Sequence, residues 1–303
     1  NQMLTRRKLL MGAALAPAFS MIAKPVLSEI TLGSARVTTL SDGNLTLPKS
    51  MFFDALPQDE LAVVLQDFDL AGAQLMPECN LALYQDDAHK VLFDVGSGPD
   101  FMPDAGKLQA SLDALGLSNA DITHVVFTHC HPDHLWGLFD DFDEPMFSQA
   151  TYMMGRVEWD YWWDPETVNT IDEGRTVFAV GAKRRLEALE DQITLFEDGA
   201  EILPGIAAFM TPGHTPGHMS FELRQGSQSA MILGDAIGNH HISFRKPSWF
   251  SPSDQDQERA VRSRQLLFDR LVNEQMQVVG FHLPNGGLGH AQKHQDGYKF
   301  VQA

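Results

Sequence analysis

Cysteine is nearly absent: Cys79 and Cys130 are the only two in 303 residues. Two thiols cannot build a disulfide framework, so the fold must rest on a packed core. One Cys79–Cys130 bridge and two free thiols both stay open, with free thiols the simpler reading. Positive charge is also scarce, with 22 Lys and Arg against 40 Asp and Glu and a formal net charge of −18. That balance argues against nucleic acid as a partner, because such affinity rests on Lys and Arg displacing counterions. Apolar runs stay short of the roughly 18 residues that a membrane-spanning helix needs. Internal repeats and long Pro/Gly/Ser linkers are missing as well. What remains is an ordinary globular composition, 44% hydrophobic and 20% charged, which suffices for a sizeable core.

The N-terminus departs from that composition. Arg6, Arg7 and Lys8 lead into an apolar stretch from Leu9 to Ala23. A basic cluster ahead of a short apolar run reads as an export signal, and the paired arginines after Thr5 resemble the twin-arginine type. Residues 1–23 are therefore expected to be a removable signal and 24–303 a single domain, with a periplasmic or secreted destination.

Short apolar runs dominate after the signal. "ARVTTLSDGNLTL" reads as two strands about a turn at Asp42-Gly43-Asn44. "NLALYQ" and "KVLFDVG" read as a hairpin about Asp86-Asp87-Ala88-His89. "KLQASLDALGL" has helical spacing with Gly116 as its stop. "THVVFTH", "ITLF", "IAAFM", "SFEL", "AMILGD" and "QVVGFHLP" read as strands. "RTVFAVGAKRRLEALE" contains a helix, and "SDQDQERAVRSRQLLFDRLVNEQ" reads as another, with Ser253 as its N-cap. Two halves of this kind imply two packed β-layers covered by helices, with polar residues collected at one edge.

Those polar residues carry the chemistry. "THCHPDH" supplies His129, His131, Asp133 and His134; "TPGH" supplies His214; "ILGDA" supplies Asp235; "GFHLP" supplies His282. Each follows a short apolar strand, and strand ends hold side chains to the tolerance a metal demands. Imidazole and carboxylate donors suit zinc, and also iron, manganese or cobalt. Five histidines and two aspartates exceed the three protein ligands usual for one catalytic ion. They suit a pair of divalent ions with a carboxylate between them.

In order and spacing, His129-Cys130-His131-Pro132-Asp133-His134, then Gly213-His214, Gly234-Asp235 and Phe281-His282, resemble the metallo-β-lactamase superfamily. The resemblance implies an α/β fold, an αββα sandwich of two mixed sheets flanked by helices. It also implies that His129, His131 and His214 hold one metal, that Asp133, His134 and His282 hold the other, and that Asp235 bridges. Asp94 in "LFDVG" falls where a hydrogen-bonding support for the site is expected. His218, His240, His241 and His290 match no motif position, although His240 and His241 follow Asp235 closely enough to line a pocket.

The superfamily hosts several reactions, so the departures matter. True β-lactamases of the group lack the aspartate found here at 235. Flavodiiron members usually carry glutamate where His131 stands. The C-terminal segments "AVRSRQLLFDRL", "VVGFHLPNGGLGH" and "GYKFV" are similar to the methyl parathion hydrolase and lactonase branch, which implies a homodimer and a small-molecule substrate. Asn285-Gly286 departs from the phosphotriesterase members. The expected activity is hydrolysis of a lactone, carboxylic ester or phosphotriester by a metal-held hydroxide, with Asp133 and Asp235 as the catalytic carboxylates. The alternatives are a mononuclear iron oxidoreductase of the persulfide dioxygenase type and a glyoxalase II-like thioesterase. Trp159, Trp162 and Trp163, with His241, Trp249 and Phe250, are candidates to line the substrate pocket.

Overall fold

Alternate residues of the central strands bury on opposite faces, and this decides the architecture. In His124–Phe127, Val125 and Phe127 pack to one side and Val126 to the other, all three fully buried. A strand apolar on both faces must lie between two layers. The computed structural model describes residues 27–303, so the expected signal at 1–23 lies outside the described residues.

Numbered along the chain, the first sheet comprises β1 (Leu27–Leu32), β2 (Ala35–Asn44), β5 (Glu78–Gln85), β6 (Lys90–Phe93), β7 (His124–Phe127), β8 (Thr151–Gly155) and β9 (Ile193–Phe196), in that order. The second comprises β10 (Glu201–Leu203), β11 (Ile206–Met210), β12 (Met219–Gln225), β13 (Gln228–Ile232), β14 (Gln277–Val279), β15 (Leu288–His294) and β16 (Gly297–Gln302). A small ribbon of β3 (Leu47–Pro48) and β4 (Gln74–Leu75) stands apart. Both sheets are mixed: β6 to β9 run parallel, as do β13 and β14, and the other pairs are antiparallel.

The sheets pack face to face through Val37, Phe93 and Val126 on one side and Phe221, Leu223 and Ile232 on the other. The outer face of the first sheet is covered by α3 (Leu108–Ala114), α4 (Pro132–Leu135), α5 (Arg156–Trp163) and α7 (Thr176–Leu189). The short α6 (Thr167–Thr170) leads from α5 towards α7. The outer face of the second sheet is covered by α8 (Ile242–Arg245) and α9 (Gln257–Asn273). Helix α9 buries Ala260, Leu267, Phe268 and Leu271, one stripe at helical spacing. The order helix, sheet, sheet, helix is the expected αββα sandwich. Among the described residues, no helix is long and apolar enough to cross a membrane.

Two local expectations need correction. Asp42-Gly43-Asn44 is not a hairpin turn, because β2 continues through it to Asn44 with a register shift against β5 between Ser41 and Asn44. The Asp42 carboxylate is buried and accepts hydrogen bonds from the amides of Ser97, Gly106 and Leu108. Gly43 takes φ +98°, and a Cβ there would sit 1.9 Å from the Asp104 carbonyl oxygen. Turn chemistry thus serves a β-bulge that docks the 97–108 loop. Helix α9 starts later than expected: Asp256, not Ser253, is its N-cap, with the carboxylate accepting from the Arg259 amide. By contrast the hairpin about Asp86 to His89 forms as read, with Asp86 Oδ1 accepting from the amides of Ala88 and His89.

Phe221 lies between Phe93 and Phe196 in the inter-sheet layer, at ring distances of 5.1 and 5.9 Å. Phe221→Ala should destabilise the chain by about 3–5 kcal/mol, read as a lower urea midpoint at unchanged slope. A loss below about 1 kcal/mol would contradict close packing of the two sheets there.

Candidate metal centre

Five chain segments leave the sheets at one end and meet there. Segment 128–134 follows β7, 211–218 follows β11, 233–241 follows β13 and 280–287 follows β14, while Asp94 closes β6. After β7, His131 is extended and Pro132 opens the single turn of α4, which carries Asp133 and His134. Proline suits that first helical position because its fixed φ is already helical and no amide donor is lost. After β11, Gly213 takes φ +131°, and any Cβ would sit 2.1 Å from the Ala260 amide nitrogen. This close approach seats the His214 loop on the start of α9, where the Asp256 amide donates to the Gly213 carbonyl.

The seven expected side chains converge in two buried groups. One is His129, His131 and His214; the other is Asp133, His134, Asp235 and His282; within each, the candidate donor atoms lie within 4.8 Å of one another. Asp235 joins them. Its Oδ2 lies 3.3 Å from His214 Nε2 and 3.4 Å from His282 Nε2, and its Oδ1 lies 3.2 Å from His134 Nε2. Asp133 Oδ2 lies 3.1 Å from His282 Nε2. Close as these atoms are, His129 Nε2, His134 Nε2, Asp133 Oδ2 and Asp235 Oδ1 are buried without a satisfactory hydrogen-bond partner. His131 Nδ1 and His214 Nε2 approach to 2.8 Å. Buried polar atoms without partners are costly, so this concentration calls for cations to accept the lone pairs.

The histidine tautomers fit that demand. The Thr128 hydroxyl donates to Asp94 Oδ2 and therefore accepts from His129 Nδ1, at 2.8 and 3.0 Å. His134 Nδ1 donates to Asp94 Oδ2 at 2.8 Å. His214 Nδ1 donates to Asp254 Oδ1 at 3.1 Å, and His282 Nδ1 donates to the Glu78 carbonyl at 2.8 Å. Four imidazoles thus commit Nδ1 to an acceptor and leave the Nε2 lone pair for a metal. Neutral imidazole and carboxylate donors in these numbers fit two divalent ions.

A family model described as the metallo-beta-lactamase superfamily matches residues 77–272. The chain belongs to the metallo-beta-lactamase superfamily. Among curated proteins it is 28% identical to the N-acyl homoserine lactonase AttM of Azorhizobium caulinodans, over 58% of this chain and 64% of that one. Among solved structures it is similar to AidC, described as a dizinc quorum-quenching lactonase in complex with a product, at 24% identity. That match has a TM-score of 0.85 and covers 92% of this chain and 98% of the other. It is also similar to the hydrolase AbOPH, at 24% identity and TM-score 0.83, over 91% and 97% of the two chains. At such identities the structural likeness establishes the superfamily fold.

Sequence reading missed several supports of this superfamily site. Asp254 orients His214 and is itself held by Arg264 Nη2 at 2.8 Å. His218 Nε2 accepts from the Asp235 amide at 2.9 Å, so its proton sits on Nδ1, beside Thr211 Oγ1. Burial pushes the His218 pKa well below the usual histidine range, which keeps that arrangement neutral. Glu158 of α5 is buried and takes four hydrogen bonds. Oε1 accepts from the Cys130 amide and Trp162 Nε1, and Oε2 from the Thr215 hydroxyl and the Gly217 amide. One carboxylate therefore ties the 128–134 and 211–218 loops together. Asp94, the expected support, accepts from the Thr128 amide, the Thr128 hydroxyl and His134, and its φ of +65° is costly for a non-glycine residue. Both cysteines are buried and free.

Above the two groups opens a cleft of about 270 Å³. His240 and His241 line it, as do Arg175 and an apolar wall that includes Leu47, Met51, Phe52, Leu70 and Met76. Most of the expected pocket aromatics lie elsewhere. Trp159 stacks on Trp163 at 5.1 Å and Trp162 is fully buried, both packed in the core beneath the first sheet. Their helix also carries Glu158 inward, and the buried tryptophans help to seal that carboxylate from water. Trp249 and Phe250 line a separate small hollow behind α1 (Lys49–Phe53). The wall comes instead largely from 45–76, a segment with β3, α1, α2 (Gln58–Leu65) and β4, whose short elements carry little periodicity.

Without metal, burial lowers the His129 and His131 pKa values well below the ordinary range. Burial also acts against protonated His134, but Asp235, Asp133 and Asp94 outweigh it and raise its pKa to about 10. His282 is likewise raised, burial being outweighed by Asp235 and Asp133. Both therefore hold protons at neutral pH until a cation displaces them. Divalent-metal affinity should rise with pH across the neutral range, by a factor of about ten per pH unit for each proton released. Calorimetric titration of Zn²⁺ in buffers of different ionisation enthalpy measures that release. Binding without proton release would contradict the assignment.

Proposed function

We propose that the chain is a dinuclear metal-dependent hydrolase, loaded with Zn²⁺, that opens lactones or cleaves related carboxylic esters. The observation that carries this reading is the set of seven buried donors, bridged by Asp235, at the floor of an apolar-walled cleft. Relatives described as N-acyl homoserine lactonases support the lactone preference. Two bound divalent ions would supply Lewis acidity towards the ester oxygen and acidify a water for attack.

The protein's own groups divide the remaining work. His129, His131 and His214 would hold one ion, Asp133, His134 and His282 the other, and Asp235 both. Asp133 Oδ2, buried and without a satisfactory partner, would take the proton of an attacking water. Asp94, Asp254 and the Glu78 carbonyl fix His134, His214 and His282 in the tautomers that the ions require. The apolar wall excludes bulk water and receives the alkyl portion of the substrate.

Metal counting together with a substrate panel tests the reading. Two ions per chain are expected, with turnover of acyl-homoserine lactones ahead of aryl esters, phosphotriesters and lactoylglutathione. One iron with oxygen consumption, or no turnover of any member, would sink it. Asp235→Ala should lower turnover on the order of 100-fold or more and reduce the bound metal while leaving the far-ultraviolet dichroism unchanged.

A further inference from the structure

His241 is a second kind of polar group in the cleft, apart from the metal donors. The residue is 6% exposed and stands between the cleft and the small hollow of Trp249 and Phe250, lining both. Phe53 and Phe68 meet the ring edge-on at centroid distances of 5.7 and 5.9 Å, and His240 packs against it tilted at 5.2 Å. Nδ1 accepts the Ile242 amide hydrogen at 2.9 Å. An amide nitrogen has only its hydrogen to offer, so Nδ1 must be unprotonated. The neutral ring then carries its proton on Nε2. Burial supports the neutral form, pushing the pKa down to about 3. Among the described residues Nε2–H has no hydrogen-bond partner, and it is not sealed from solvent in the way the orphaned metal donors are.

We infer that His241 Nε2 donates a hydrogen bond to an acceptor on the substrate's tail, and so selects esters whose apolar chain is interrupted by a carbonyl. The position argues for the tail rather than the reacting bond. His241 packs on α1 and the 66–70 loop, on the side of the apolar wall, and its ring pairs with Phe53, Phe68 and His240 rather than with the histidines among the metal donors. A substrate that reaches from the metal floor along Met51 and Phe52 passes this donor. A plain alkyl chain would strip water from Nε2–H and leave it unpaired, whereas a carbonyl placed there satisfies it. The amide carbonyl of the acyl lactones proposed above meets this requirement. This deepens the hydrolase reading above and rests on it.

The test is a cycle of two substrates and three enzymes. The substrates are lactones of equal length, one with an amide-linked tail and one with an all-carbon tail. The enzymes are wild type, His241→Phe, which keeps an aromatic ring without the donor, and His241→Gln, which can return an N–H to the same region. Metal content is measured on each. Wild type should prefer the amide substrate in kcat/KM by about five- to tenfold. The preference should vanish in His241→Phe and return in part in His241→Gln. A wild type that does not discriminate overturns the inference alone. So does His241→Phe if it retains the preference or lowers both substrates equally. A wild type that turns over neither substrate overturns the hydrolase reading and this inference together. If His241→Phe does not fold, His241→Leu takes its place in the cycle.

Discussion

Seven candidate metal-donor side chains share one buried space, and five of them have a buried polar atom with no hydrogen-bond partner there. That is the constraint on which the rest of the molecule depends. Uncompensated, such a cluster would be strongly destabilising, because buried polar groups lose water and gain nothing. Three acceptors and a buried hydroxyl determine how the arrangement is resolved. Asp94, Asp254, the Glu78 carbonyl and Thr128 each take an Nδ1 proton. They come from separate parts of the chain, so the metal-ready state is a property of the whole fold and not of the HxHxDH stretch alone.

The sandwich makes this possible by placing strand ends where ligands are needed. Val125, Val126 and Phe127 anchor β7 in both apolar layers, so the residues that follow leave the sheet at a fixed point. Strands β13 and β14 run parallel and deliver Asp235 and His282 side by side. Glu158 then locks the β7 and β11 loops against each other. A carboxylate buried in this way is stabilised only when its lone pairs are filled, and here four donors fill them.

The convergence of the candidate donors was legible in the sequence because their spacing is local. His129 to His134 lie within one short loop, and each later donor directly follows an apolar strand. The alternating strands and the amphipathic α7 and α9 were readable for the same reason. Asp254, Glu158 and His218 were not. Their roles depend on partners 40, 28 to 59 and 17 residues away, brought close only by the fold. Asp42-Gly43-Asn44 misled because the same residues that favour a turn also suit a bulge, and a distant loop decided between them. The tryptophans of α5 misled because an aromatic helix serves a buried carboxylate as well as it serves a ligand. The 45–76 wall gave little signal, since its elements are too short to show a period.

That wall arises from a stretch of chain inserted between β2 and β5, which supplies none of the seven donors. The buried donors and most of the apolar wall are consequently encoded in separable portions of the chain. Residues such as Met51, Leu70 and Met76 can vary in bulk while the seven buried side chains keep their places. In a scaffold partitioned in this manner, one excursion of the chain can reshape much of the cleft while the costly interior need not be rebuilt.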